Sequence, residues 1–507
     1  MAAMAGARVG GDYWGPHPPL PSSSYILVRV RSKQARSRLL QALPRDRDVV
    51  CWVEAGRDTG SSDSSVRFVV GRCDPWHLIS GATEVHADAD DELVAIAMLS
   101  GVPVHGSDGK ALSIAEGDPR AVIRRRLDRS YANPFTGEAM TLCDAIHLCA
   151  FWRRLIDRNR PVAAAIGFAS WKRSTAEPLL WGGSTLDFSG RPSDIAPGDR
   201  IFAWKSRVRP ATLDQLERSG AELIEVEDGF IRSVGLGADC VPPLSLVVDR
   251  LGAYFDPHAP SELEQMLQDG DFSAEIIERA RSLRHTIVAS AISKYGTGQK
   301  DWARRVADRP HLLVPGQVED DRSVRCGGGP VTTNLELLRR VRADAPDAYI
   351  LYKPHPDVEA GHRIGAVSDG EATRYADEVV RDRSITSLIE MVDAVHVNTS
   401  LAGFEALMRN TPVTTHGVPF YAGWGLTRDL GAVPARRTAR RTLDELVAAV
   451  LLLYPRYLDP VTGLPCTPEI LIRRLAEGRG ARSKGPLVLI RRLQGLARRR
   501  LATLRSW

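Results

Sequence analysis

Long apolar runs are missing from this sequence. The richest, residues 446–453 (LVAAVLLL), falls far short of the roughly 20 residues that a bilayer-spanning helix needs. The opening MAAMAGARVGGDYWGPHPP has no apolar stretch of the length a secretory signal uses, so the expectation is a cytoplasmic protein. Cysteine is scarce: seven in 507 residues, scattered and without a CxxC, which argues against a zinc ribbon or a disulfide framework. Aromatics make up only 6%. No P-loop, GxGxxG, HExxH or GxSxG occurs, so the common nucleotide-binding, metalloprotease and serine-hydrolase signatures are excluded together.

What is present is the composition of a folded protein, 43% hydrophobic and 25% charged, long enough for about three domains at roughly 150 residues each. The net charge of +5 is misleading. Nine cations and no acid lie between Arg479 and Trp507, so the remainder of the chain stands at +5 less nine, or −4. Basic character is therefore a property of the tail and no argument for nucleic-acid binding.

From residue 160 onward, short β-rich runs alternate with helical patterns. The runs are 162–168, 200–204, 221–227, 311–318, 348–353, 393–397 and 412–416; helical periodicity appears at 333–342, 401–409 and, at length, 261–294. Such alternation predicts parallel sheets covered on both faces, arranged as two α/β lobes at 160–305 and 306–475.

The first 155 residues carry a weak copy of the last part. ATEVHADADDELVAIAMLSGVPVHG, from Ala82, lies over DAVHVNTSLAGFEALMRNTPVTTHG, from Asp393. In the same order, YANPFTGEA from Tyr131 answers YLDPVTGLP from Tyr457. Residues 1–155 thus read as a partial, degenerate copy of a duplicated module. Its turn has DADD where the other copy has NTSL, and Ala95 stands where Glu405 stands.

Three constellations sit at the ends of expected strands, where open α/β sheets place ligands. In the first, Glu227-Asp228-Gly229 with Arg232 suits acid/base work beside an anion, although an Asp-Gly turn with a solvated ion pair accounts for the same residues. Next comes the loop from Gln317 through Asp321 and Ser323, which lies between a buried strand and a glycine-rich stretch. Finally, Lys353-Pro354-His355-Pro356 ends one strand while Asn398-Thr399-Ser400 opens a helix. A helix start with hydroxyls and a nearby cation suits a leaving phosphate, while N-capping alone accounts for the hydroxyls; Glu405, a turn further on, is placed to reach a ribose.

These residues resemble the bacterial capsular-polysaccharide β-Kdo transferases of the KpsC type. The carrying motifs are EDGFIRSVGLGAD, PPLSLVVDRLGAYFD, VPGQVEDDRSV, YKPHPDVEAGHRIG, HVNTSLAGFEAL and THGVPFYAGWGLT, spanning roughly residues 160–475. The resemblance implies a GT-B fold of two Rossmann-like lobes, 160–305 on the acceptor side and 306–475 on the CMP-sugar side. It implies a metal-independent, retaining transferase that uses CMP-Kdo, with no further cofactor, to extend a poly-Kdo linker on a phosphatidylglycerol-type lipid. The E-D-G, H-P and S/T motifs fall on Glu227-Asp228-Gly229, His355-Pro356 and Thr399-Ser400, and the attacking carboxylate falls on Asp321 of Asp321-Arg322-Ser323. On that footing Asp321 is the expected nucleophile and Glu227 or Asp228 the acid/base group. Lys353, His355, Thr399 and Ser400 hold the CMP phosphate, and Gln317 and Arg232 meet the sugar carboxylate and hydroxyls. The partial copy lacks counterparts of the E-D-G, D-x-S and K-P-H-P residues and is expected to be catalytically inert.

Beyond Pro486, apolar residues recur at three- and four-residue steps between arginines. Residues 480–507 are therefore expected to form a basic amphipathic helix on an anionic membrane surface; the resemblance implies that this is the inner membrane face, with the lipid acceptor and other capsule assembly and export proteins as partners. Two other classes use the same residues: a transferase of another CMP-sugar, such as sialic acid, and a noncatalytic scaffold of capsule assembly.

Overall fold

A computed structural model describes residues 1–56, 66–112, 123–124, 127–231, 241–290, 304–361 and 363–479, with the backbone of Ile292–Ser293 and Gly296–Thr297. Arg232 and the 480–507 tail lie outside the described residues. The chain divides into two compact units, one of residues 1–162 and 180–186, the other of 163–179 and 187 onward. Among the described residues no helix is long and apolar enough to cross a membrane.

The first unit is built on five parallel strands in the order Val66–Val70, Asp48–Val53, Tyr25–Arg29, Ala82–Ala87, Val104–His105. Its central strands are apolar runs without alternation, YILV and VVCWV, because both faces are covered. One face packs Leu27, Val50, Trp76, Leu93 and Ile156; the other packs Ile26, Val28, Leu39 and Cys51.

The second unit holds two six-stranded sheets. One is wholly parallel, ordered Glu378–Val379, Tyr349–Lys353, His311–Pro315, Ala394–Val397, Val413–Thr415, Arg428–Asp429. The other is mixed where parallel strands were expected. Glu222–Asp228 pairs in parallel with Arg200–Ala203 but antiparallel with Ser245–Asp249, and that strand runs antiparallel to Arg456–Leu458. Residues assigned by sequence to 306–475 thus contribute to both sheets. The long helical pattern at 261–294 is broken into Glu262–Asp269 and Ala274–Ala289. Gly270 leaves the helix with extended backbone and Ser273 caps the next one, accepting from Ile276 N–H.

The five-stranded sheet repeats the strand order of the parallel six-stranded one. In each, a central strand is flanked on one side by the next two strands in the chain and on the other by a strand, helix and strand. Ala82–Ala87, Glu92–Leu99 and Val104–His105 follow the same path as Ala394–Val397, Leu401–Met408 and Val413–Thr415. The two YxxPxTG hairpins also share their hydrogen bonds. Asn133 N–H donates to Glu138 O and Gly137 N–H to Asn133 O; Asp459 N–H donates to Leu464 O and Gly463 N–H to Asp459 O, all at 2.8–3.0 Å.

Candidate active site

In the parallel sheet of the second unit, the winding changes sides between His311–Pro315 and Ala394–Val397. The crevice outside the carboxyl ends of two such strands is where open α/β sheets bind ligands. Gln317 leaves one strand and Thr399 the other, and they lock together. Gln317 Nε2 donates to Thr399 Oγ1 and Thr399 N–H donates to Gln317 Oε1, both at 2.9 Å. Asn334 fixes the Gln317 backbone from behind, accepting from Gln317 N–H and donating to the Gln317 and Gly365 carbonyls, each at 2.8 Å. Gly316 permits the close passage: a Cβ there would stand 2.9 Å from Tyr352 Oη and 3.3 Å from the His355 backbone nitrogen.

Lys353 ends the neighbouring strand with its side chain buried, Nζ donating to the Arg381 carbonyl at 2.8 Å. Burial lowers its proton affinity. His355 caps the short helix Pro356–Glu359, Nδ1 accepting from Asp357 N–H at 3.1 Å, with Pro356 in the first helical position. Ser400 caps Leu401–Met408, Oγ accepting from Ala402 N–H at 3.2 Å. Glu405 is buried within that helix.

Asp321 is the N-cap of the helix Arg322–Gly327. Its Oδ1 accepts from Ser323 N–H at 3.0 Å and from Ser323 Oγ–H at 2.8 Å. The D-x-S spacing is therefore also a capping geometry, with the serine reaching back to the aspartate. At the other end of this short helix, the Thr399 methyl lies beside Gly327.

Glu227 and Asp228 close the strand Glu222–Asp228, and Gly229 follows because Ser245 of the adjacent strand leaves no room: a Cβ would sit 2.3 Å from Ser245 Oγ. Asp228 pairs with Lys172 at 2.9 Å, and the Lys172 ammonium lies 3.4 Å from the centre of the Trp204 ring. Arg322 reaches this strand from the Asp321-capped helix. Its Nη1 donates to Glu227 Oε1 at 2.8 Å and to Glu225, while the guanidinium lies over the Phe255 ring. Lys205 stands 3.6 Å from the other Glu225 oxygen. Burial drives Glu227 up to about 8, Arg322 pulling the other way and Asp228 adding to the rise. The burial thus raises the proton affinity of Glu227 well above that of an exposed glutamate.

The structure brings together Asp321 with Ser323, Gln317 with Thr399, and, through Arg322, the Asp321 helix with Glu227. Lys353 does not bond to the Thr399-Ser400 turn; its ammonium is directed to the Arg381 carbonyl. Arg322, Lys172, Lys205 and Asn334 were not singled out from sequence. Arg322 lies inside the D-x-S motif itself, but its partners are 95 and 97 residues away in the chain.

Parallel sheets, crevice loops at a winding reversal, and carboxylates and cations at strand ends define a GT-B-like α/β protein. The family model described as "Capsule polysaccharide biosynthesis protein" matches residues 211–457. The KpsC β-Kdo 2,7 transferase of Thermosulfurimonas dismutans is 36% identical, with a TM-score of 0.52, covering 63% of this chain and 99% of that one. Its β-Kdo 2,4 transferase is 32% identical with a TM-score of 0.53, covering 62% and 98%. The capsule polysaccharide modification protein LipA of Neisseria meningitidis serogroup A is 43% identical over 354 residues, which are 68% of this chain and 50% of that protein. The chain therefore spans about half the length of its meningococcal relative. This protein belongs to the KpsC-type capsule polysaccharide biosynthesis family.

Proposed function

We propose that the chain is a glycosyltransferase of capsule polysaccharide biosynthesis. It moves Kdo from CMP-Kdo, with β configuration retained, onto the Kdo linker of a phosphatidylglycerol-type lipid. The observation that carries this reading is the bridge from Asp321 to Glu227: adjacent residues on one helix start supply a carboxylate and the arginine that holds a second carboxylate. The likeness to two β-Kdo transferases supports the donor.

In this mechanism the Asp321 carboxylate attacks the anomeric carbon, and CMP departs with the bonding electron pair on its phosphate oxygen. His355 and the Thr399-Ser400 helix start hold that phosphate, joined by Lys353 and the Thr399 N–H as they exchange the Arg381 carbonyl and Gln317 for its oxygens, with no metal assigned. The acceptor hydroxyl then displaces Asp321 from the same carbon. Its proton passes to Asp228, or to Glu227 once Glu227 has given its own proton to the departing phosphate, and two inversions give retention. Ser323 keeps Asp321 oriented, while Gln317, Arg232 and Glu405 contact the donor sugar and ribose. The lipid acceptor places the reaction at the cytoplasmic face of the membrane, where the cationic 480–507 tail binds anionic headgroups.

The test is nucleotide release and lipid elongation with CMP-Kdo or CMP-sialic acid, given a synthetic Kdo-lipid. CMP-Kdo alone is expected to support both. Turnover with CMP-sialic acid instead would assign the other CMP-sugar class, and no release with either donor would assign a scaffold.

A further inference from the structure

Transfer of a sugar acid needs a cation for the carboxylate next to the anomeric carbon, and the residues first expected in that role are only partly available. Gln317 commits its carbonyl and one N–H to Thr399. Arg322 is differently placed. It follows the proposed nucleophile directly, and Nη1 alone serves Glu225 and Glu227. The side chain remains 29% exposed, and Nε and Nη2 have no hydrogen-bond partner among the described residues. Its Cζ lies over the Phe255 ring, 4.9 Å from the ring centre.

We propose that Arg322 recognises the carboxylate of the sugar-acid donor through Nε and Nη2 while Nη1 holds Glu227; this rests on the Kdo-transferase reading above. Around Glu227 stand Arg322 and Lys172 as cations and Asp228 and Glu225 as acids on its own strand; Lys205 faces Glu225, and Cys326 lies near Arg322. A fork of two parallel N–H groups matches a planar carboxylate better than a lysine would.

The test is a binding cycle on the full chain carrying Asp321→Asn, so that the donor is not consumed. Affinities for CMP, CMP-Kdo and the C1-amide of CMP-Kdo are measured by calorimetry with Arg322 intact and with R322Q. With Arg322 intact, CMP-Kdo is expected to bind roughly tenfold or more tighter than the amide. R322Q is expected to erase that difference while leaving CMP affinity unchanged. R322K, which keeps the charge but not the fork, is expected to fall between the two and replaces R322Q if the latter does not fold. A carboxylate preference that persists undiminished in R322Q, or in R322K should that replace it, overturns the assignment to Arg322. Equal binding of CMP and CMP-Kdo with Arg322 intact would instead count against the donor reading itself.

Discussion

Glu227 concentrates the site's electrostatics in one side chain. Burial and a neighbouring acid raise its proton affinity, and Arg322 only partly offsets them. A carboxyl near 8 can protonate the departing phosphate and then, as a carboxylate, take the acceptor's proton. The efficiency of donor use should therefore hold steady below about pH 8 and fall tenfold per unit above it, a limb that E227Q removes along with most activity. Stability follows the same sign. The folded protein holds this proton more tightly than the unfolded chain, whose value is near 4.5, so Glu227's contribution is complete at low pH and declines as pH rises toward 8. Melting temperatures from pH 5 to 8 in wild type and E227Q check this directly, with the downward slope expected to lessen in the variant. Glu227 was legible in the sequence as an acid at a strand end. Its raised proton affinity was not, because burial and the Arg322 contact exist only once residues far apart in sequence meet.

At the scale of elements, the sequence was readable where period and caps agreed. All seven strand runs from residue 160 onward have counterparts, from Val162–Ile166 to Val413–Thr415, each a short apolar stretch ending at a polar turn. Two features were hidden. Helical periodicity carries through Gly270, so 261–294 read as one element, although a glycine followed three residues later by a capping serine signalled the break. The antiparallel part of the mixed sheet was the other: Ser245–Asp249 and Arg456–Leu458 are not among the seven expected runs, and Ser245–Asp249 returns antiparallel to Glu222–Asp228, which hydrophobicity alone does not encode. Elements also shape the choice of variants. Asp321 caps its helix, and replacing such a cap by alanine costs about 1 kcal/mol, whereas asparagine caps equally well. Asp321→Asn therefore separates the chemistry of the carboxylate from its capping role.

For the whole molecule, the division into two units, each with its own core, matters most. The first unit is held by Asp74, fully buried, which pairs with Arg153 at 2.7 Å and His17 at 2.8 Å and caps Pro75–Ile79. Breaking a buried pair of this kind typically costs about 3–5 kcal/mol. Asp74→Ala should thus lower the melting transition of the first unit, while the Kdo transfer proposed for the second stays close to wild type; comparable loss of both would show that the first unit is needed for the chemistry. The internal likeness behind this expectation could be read from two short matches, since strand order and turn residues survive drift. At the strand and helix ends the likeness stops: Asp88 and Asp91, paired with Arg31 and Arg29, stand in the turn where the second unit has Thr399 and Ser400. Acids there repel a phosphate, which is why the first unit is read as inert.

The most direct test of the proposed chemistry is mass spectrometry of the full chain after brief exposure to CMP-Kdo without acceptor. A covalent Asp321 intermediate predicts one added Kdo, mapped to the peptide containing Asp321, chased off by acceptor and absent from Asp321→Asn. A Kdo adduct on another residue, or full transfer by Asp321→Asn, would contradict it.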